Sequence, residues 1–295
     1  MSQCKLCGCD AVLMDSHLLP AFAARWIKET SPTPYLRDAV TPNLRKQDTR
    51  TAKLLCQGCE TRFSQDEGNF AKTIFSPYVT KELDEKGCGR GNIRAFQYDE
   101  WLLRFALSLQ WRTILTRPNA VYGETSFVVI EETWRQFLLG QRRDSGVWET
   151  HMIFLSSLAG AVIPAGLKLG CRVNSYLLGT VDATTISSQD NQKAGIYSKI
   201  GPIAFFTPLR PLVLKGNSDS KLHMRGTIKV GQKLRNEWLG QFIFVTRPNE
   251  VYRTVSEKQQ IRMAKDFLAN PERTRETMSF HALEVDFKLE RENNT

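Results

Sequence analysis

Apolar residues recur along this chain in two rhythms. Over residues 101–115, Trp-Leu-Leu-Arg-Phe-Ala-Leu-Ser-Leu-Gln-Trp-Arg-Thr-Ile-Leu, they return every three to four positions, which predicts a helix closed by Arg117-Pro118. The same period predicts helices over 131–142, with Trp134, Phe137 and Leu138 inward, and over 256–269, stopped by Asn270-Pro271. Trp26, within Phe22-Ala-Ala-Arg-Trp26-Ile27, reads as the packing face of a short helix. From about 147 to 254 the rhythm changes to short apolar and β-branched runs punctuated by Gly and Pro. Residues 147–155, 173–181, 196–200, 203–206, 212–214, 227–230 and 241–245 therefore read as strands. Residues 80–97, charged and then glycine-rich, read as a linker or long turn. The expected architecture is α+β: a small domain over 1–79, the connection 80–97, and a larger domain over 98–295 with a mostly antiparallel sheet.

Composition narrows the class. A chain of 295 residues suggests about two domains, and 41% hydrophobic against 24% charged residues can bury a core. The longest uncharged stretch, 152–167, is 16 residues and contains Pro164, too short for the roughly 18–20 apolar residues of a membrane helix. The opening MSQCKLCGCD lacks the basic-then-apolar order of a signal peptide, so a cytoplasmic protein with no membrane partner is expected. A net charge of +9 is compatible with a polyanionic partner without identifying one. No P-loop, G-x-S-x-G or strand-linked G-x-G-x-x-G is present, and the glycines around Cys88 lack a nucleotide-site context.

The cysteines say more. There are seven, an odd number that argues for thiols rather than a disulfide framework. Four form two C-x-x-C pairs, Cys4/Cys7 and Cys56/Cys59, with 48 residues between the pairs. Each pair can present two thiolates from a tight knuckle, with Gly8 and Gly58 expected to ease the backbone, so together they predict a closed structural zinc site. Cys9 is an alternative ligand but reads rather as a bystander, and Cys88 and Cys171 are expected to be structural or ordinary free thiols.

Between the pairs lies Asp15-Ser16-His17-Leu18-Leu19-Pro20, and the second pair leads into Glu60-Thr61-Arg62-Phe63. Over residues 1–75 the pattern resembles the HNH endonuclease family. Its treble-clef core carries C-x-x-C, a strand with Asp-His and a Pro three residues on, then a second C-x-x-C opening a helix. The resemblance implies that His17 is the general base activating water and that a divalent ion, magnesium or manganese, polarises the scissile phosphate. Phosphodiester hydrolysis needs both a base and a cation, and imidazole suits the first role near neutral pH. The bland alternative for His17 is a structural one: completing the zinc site or ordering the loop. The chain departs from the family pattern at Ser16, where Asp is common, and at Glu60, where His or Asn is common. A central Asn is not evident; Asn43 and Gln47-Asp48 lie in the intervening segment. The candidate carboxylates for the catalytic ion are Asp48 and Glu60, then Glu67, which otherwise closes a capping box from Ser64.

The resemblance makes nucleic acid, DNA rather than RNA, the expected substrate, and such modules occur in bacterial defence proteins. Basic residues cluster at Arg25, Lys28, Arg37, Arg45, Lys46, Arg50 and Lys53, and again at Lys221, Arg225, Lys229, Lys233, Arg235, Arg247 and Arg253. Lys229, Lys233 and Arg235 could lie along one exposed sheet edge. His151, His223 and His281 sit in strand-like segments and read as structural. Residues 98–295 would recognise nucleic acid, a partner protein or a small-molecule signal. The rival function is a non-catalytic zinc module binding nucleic acid or protein; a weaker third is a ligand-gated sensor.

Overall fold

A computed structural model describes residues 2–36, 41, 43–116, 124–159, 161, 168–252 and 255–292. Arg37, Arg117-Pro118, Pro164 and Arg253 lie outside the described residues.

The N-terminal quarter is built on two short antiparallel pairs. β1 (Ser2–Gln3) folds back on β2 (Asp10–Ala11), making the first cysteine turn. β3 (Leu13–His17) is followed by α1 (Ala21–Glu29) and returns to pair with β4 (Thr51–Cys56), so that Ser16 faces Ala52 and His17 faces Thr51. β4 runs straight into α2 (Gln57–Phe70), which widens into π-helical turns over Ala71–Phe75 and Tyr78–Glu82. Ser64 is therefore inside α2 and starts no helix, which corrects the capping-box reading; the second cysteine pair itself is the helix start.

Residues 80–97 form a tight, hydrogen-bonded turn. Glu82 is buried and accepts from the amides of Gly91 at 2.8 Å and Ile93 at 2.6 Å, and the segment ends in β5 (Ala95–Tyr98). α3 (Glu100–Leu115) is buried on nearly every face from Leu102 to Thr113, the signature of a helix threaded through a core. Phe70 of α2 stacks on Phe105 of α3 at 4.3 Å, and both meet Phe205 at 5.7 Å. The main hydrophobic cluster runs continuously from Cys4 and Leu6 through these aromatics to Ala282, so the cysteine-bearing segment shares its core with the rest of the chain. α4 (Glu124–Leu139) covers α3, with Trp134 and Phe137 fully buried as their spacing predicts.

The sheet expected in the second half is present and antiparallel: β6 (His151–Phe154), then β7 (Val181–Ser187), β8 (Ala194–Ile200) and β9 (Ile203–Arg210), ordered β6-β9-β8-β7. β10 (Gly226–Lys229) pairs with β5 instead of joining it. Three predicted strands fail. Residues 173–179 form α5 (Val173–Gly179), because the Asp286 carboxylate accepts from the Asn174 and Ser175 amides at 2.7 and 3.0 Å and supplies the N-terminal acceptor that no local residue offers. Leu212 and Val213 are exposed in a turn beyond the end of β9. Residues 241–245 continue α6 (Glu237–Gln241), capped by the Asn236 side chain, as a π-helical turn that buries Phe242 and Ile243; a short buried apolar run has no period that separates helix from strand.

The chain closes with α7 (Arg247–Tyr252), α8 (Glu257–Ala269), α9 (Pro271–Arg275) and α10 (Met278–Glu292). His281 is thus helical and His223 lies outside any strand; of the three histidines read as strand residues only His151 is in one. No helix among the described residues is long and apolar enough to cross a membrane.

Candidate metal centre

The first cysteine turn is held by its own backbone. Cys4 and Cys9 are joined by an N–H to carbonyl bond of 2.9 Å, Gly8 returns an N–H to the Cys4 carbonyl at 2.9 Å, and Gly8 adopts φ +77°, which favours glycine. The turn is pinned to β4 by the Lys5 amide on the Leu54 carbonyl at 2.9 Å and to α4 by Arg135 on the Leu6 carbonyl at 2.9 Å. Cys56 ends β4, and Cys59 lies in the first turn of α2. Gly58 is helical and needs no special backbone freedom, so only Gly8 fills the role expected of both glycines.

All four sulfurs converge, with every pair within 4.8 Å. Cys7 and Cys56 Sγ atoms are 3.8 Å apart, far beyond a disulfide of about 2.05 Å. That separation matches the edge, about 3.8 Å, of a tetrahedron whose metal–sulfur arms are about 2.3 Å. Cys4 and Cys59 are buried. Burial pushes the Cys4 thiol up, but amide N–H groups of Cys7, Cys56 and Leu6 aimed at its sulfur outweigh this and bring it down to about 7. Burial, then the three neighbouring sulfurs, push the Cys59 thiol far up. One backbone-stabilised sulfur among crowded thiols is a donor set whose mutual repulsion a divalent cation relieves. The remaining cysteines stand apart: Cys9 is exposed, Cys88 and Cys171 are half-buried, and none of the seven is in a disulfide.

His17 ends β3, opposite Thr51 and at the other end of the β3–β4 pair from Cys56. Its Nε2 lies 2.9 Å from Asp48 Oδ2, and about a third of its side chain is exposed. Its other ring nitrogen makes no hydrogen bond among the described residues. Burial pushes the Asp48 carboxyl up, but His17 and the Thr49 amide, 2.8 Å from Oδ1, outweigh it and hold the group below the ordinary carboxylate range. Both Asp48 oxygens are thus engaged. Glu60 accepts the hydroxyl of Ser16, a residue fully buried in β3, so the two positions that depart from the family pattern meet each other. Glu67 is bound by Arg112 at 2.7 Å.

Spacing along the chain therefore overstated one point. Asp48, Glu60 and Glu67 are committed to three different partners, and outside the four cysteines no three carboxylate, imidazole or thiol groups among the described residues gather within metal-ligating reach. Sequence reasoning also missed Arg112. Read as one polar position of a helix, it is 1% exposed and donates to the His17 carbonyl at 2.5 Å as well as to Glu67. Its only signal was a charge among core-facing neighbours.

The basic clusters thin out as well. Lys53 pairs with Asp15 at 2.9 Å, Arg45 with Asp266 at 2.5 Å, Lys221 with Glu149 at 2.6 Å and Arg247 with Asp182 at 2.7 Å. Arg25 and Arg50 are exposed without ion pairs among the described residues, and Arg50 shares its backbone carbonyl with the Leu18 amide, one residue from His17. Of the expected edge, only Lys229 lies in a strand; Lys233 and Arg235 follow it in irregular chain. Comparison with protein-family models, with curated proteins and with solved structures gives no match.

Proposed function

We propose that this chain is a metal-dependent, HNH-like endonuclease that hydrolyses phosphodiester bonds in DNA, with its first cysteine turn, β3–β4 pair and α2 read as a treble clef around structural zinc. Four cysteine sulfurs within 4.8 Å of one another suit zinc, and Cys4, Cys7, Cys56 and Cys59 would hold it. The observation that carries the catalytic reading is the His17–Asp48 pair. A half-buried imidazole with one nitrogen fixed by a carboxylate has its tautomer and orientation set, which leaves the other nitrogen to take a proton from water.

Asp48 is then a positioning residue. Arg112 fixes the backbone of His17 through its carbonyl, and the exposed Arg50 and Arg25, without ion pairs among the described residues, would meet the flanking phosphates. A hard divalent ion would supply charge stabilisation on the phosphate oxygens; Glu60, whose second oxygen has no partner among the described residues, is the residue that would contribute to holding it, the rest of its shell being phosphate and water. The Ser16–Glu60 bond equally favours a second reading, a zinc module that binds nucleic acid without cutting it.

The two are separated by incubating protein with supercoiled plasmid, single-stranded DNA and RNA in magnesium or manganese, alongside His17→Ala and a binding measurement. Cleavage of DNA that falls about a hundredfold or more in His17→Ala, at equal zinc content, supports the nuclease. Full activity in the variant refutes His17 as base, and binding with no cleavage of any substrate establishes the second reading.

A further inference from the structure

A cavity of about 160 Å³ lies where the N-terminal quarter meets the C-terminal helices, and none of His17, Asp48, Glu60 or Arg112 lines it. Ile27 of α1 and Tyr35 wall one side; Tyr252, Phe267 of α8 and Leu283 of α10 wall the other. A cavity of this size takes one six-membered ring with a small substituent. Its lining is mainly apolar, and Arg172 is the one charged residue among the described lining residues.

Three observations single out Arg172. Its backbone sits in the left-handed region at φ 52°, ψ 44°, which glycine or asparagine would occupy more easily, so the arginine is not there for the turn. Its guanidinium lies 5.9 Å from the Tyr252 ring centroid and has no hydrogen bond or ion pair among the described residues. No carboxylate among the described residues forms an ion pair with it: both oxygens of Asp286 are taken by the neutral donors of Asn174 and Ser175, and Asp182 and Asp266 are paired with Arg247 and Arg45. A half-buried planar cation left unmatched at an apolar cavity fits an anion, and a forked guanidinium fits a carboxylate in two-point geometry. With a single cation present, a monoanion balances the site where a dianionic phosphate would not.

We infer that this cavity binds a small amphipathic carboxylate, its charged end on Arg172 and its ring or chain between Tyr35 and Phe267. This inference is independent of the endonuclease reading, because it uses none of the His17 residues. It joins the cysteine-bearing segment to the C-terminal helices through one ligand.

The test uses full-length protein and 4-fluorobenzoate, with 4-fluorotoluene as the uncharged ring of the same size, each titrated by ¹⁹F line broadening. Wild-type protein is expected to bind 4-fluorobenzoate more tightly than 4-fluorotoluene. Arg172→Gln should weaken the carboxylate about tenfold or more and leave the toluene unchanged. Leu283→Trp, which fills the cavity, should remove both, with circular dichroism verifying the fold. The inference is overturned by no binding of 4-fluorobenzoate up to about 10 mM, by equal binding in Arg172→Gln, by tighter binding of the neutral ring, or by binding that survives in folded Leu283→Trp.

Discussion

Replacing Arg112 with methionine removes a cation while keeping the apolar stem that packs near Phe63, whose ring centroid is 5.4 Å from the guanidinium carbon. The long contacts to Ser108 within α3, at 3.2 and 3.5 Å, are lost, and with them the two short charge-assisted bonds that leave the helix, one to the His17 carbonyl and one to Glu67. Each is worth about 1.5–3 kcal/mol when both partners are buried. The Glu67 side chain is 20% exposed and recovers some hydration, so the lower end applies to that bond and the expected net loss is about 3 kcal/mol. For 295 residues at about 2.1 cal/mol/K each, the unfolding entropy is about 0.6 kcal/mol/K, and the melting temperature should fall by about 5 °C. Urea unfolding of Arg112→Met, Glu67→Gln and the double variant gives the cycle. The double variant should lose about 1–2 kcal/mol less than the sum of the singles, because Glu67→Gln removes the charge that Arg112→Met strands. A loss under about 1 kcal/mol, or strict additivity, would refute the idea that Arg112 clamps β3 to α2 and α3.

His151 is fully buried in β6, with Nδ1 3.0 Å from Ser220 Oγ and with Glu149 and Lys221 as its charged neighbours. Burial lowers its pKa from 6.5 to about 4, so the unfolded chain takes up the proton first as pH falls, and stability of about 3 kcal/mol present above pH 6.5 is lost on the way to pH 4. His151→Gln should flatten unfolding free energy across that window, and an unchanged slope would sink the assignment. In the central strand β8, a Cβ on Gly195 would sit 2.3 Å from the Phe206 ring and 2.9 Å from the Thr207 carbonyl, whereas one on Gly68 of α2 meets nothing within 4 Å. Gly195→Ala is expected to cost about 2 kcal/mol or more and Gly68→Ala to stabilise by up to about 1 kcal/mol in chemical denaturation; equal stabilities would contradict this packing.

What could be read from the chain was what repeats locally. The period of 101–115 revealed α3, and two C-x-x-C pairs announced four sulfurs that do meet. What could not be read depended on distant partners. Residues 173–179 became helical because Asp286, more than a hundred residues on, caps them. Gln241–Val245 carries an apolar run that helix and strand bury equally well, and only the Asn236 cap settles it. Asp48 looked like a metal ligand because carboxylates are hard donors; the β3–β4 pairing brings it to His17 instead. Arg112 was invisible because a lone arginine in a helical pattern reads as its solvent face.

The claim on which the rest depends is that Cys4, Cys7, Cys56 and Cys59 form a metal centre. Elemental mass spectrometry of the purified full chain tests it directly. The expected result is about one zinc per chain in wild type and in His17→Ala, and loss of most of it in Cys59→Ser. Wild-type protein that is folded and carries no bound metal after purification without chelator, or a Cys59→Ser variant that retains zinc in full, would contradict it.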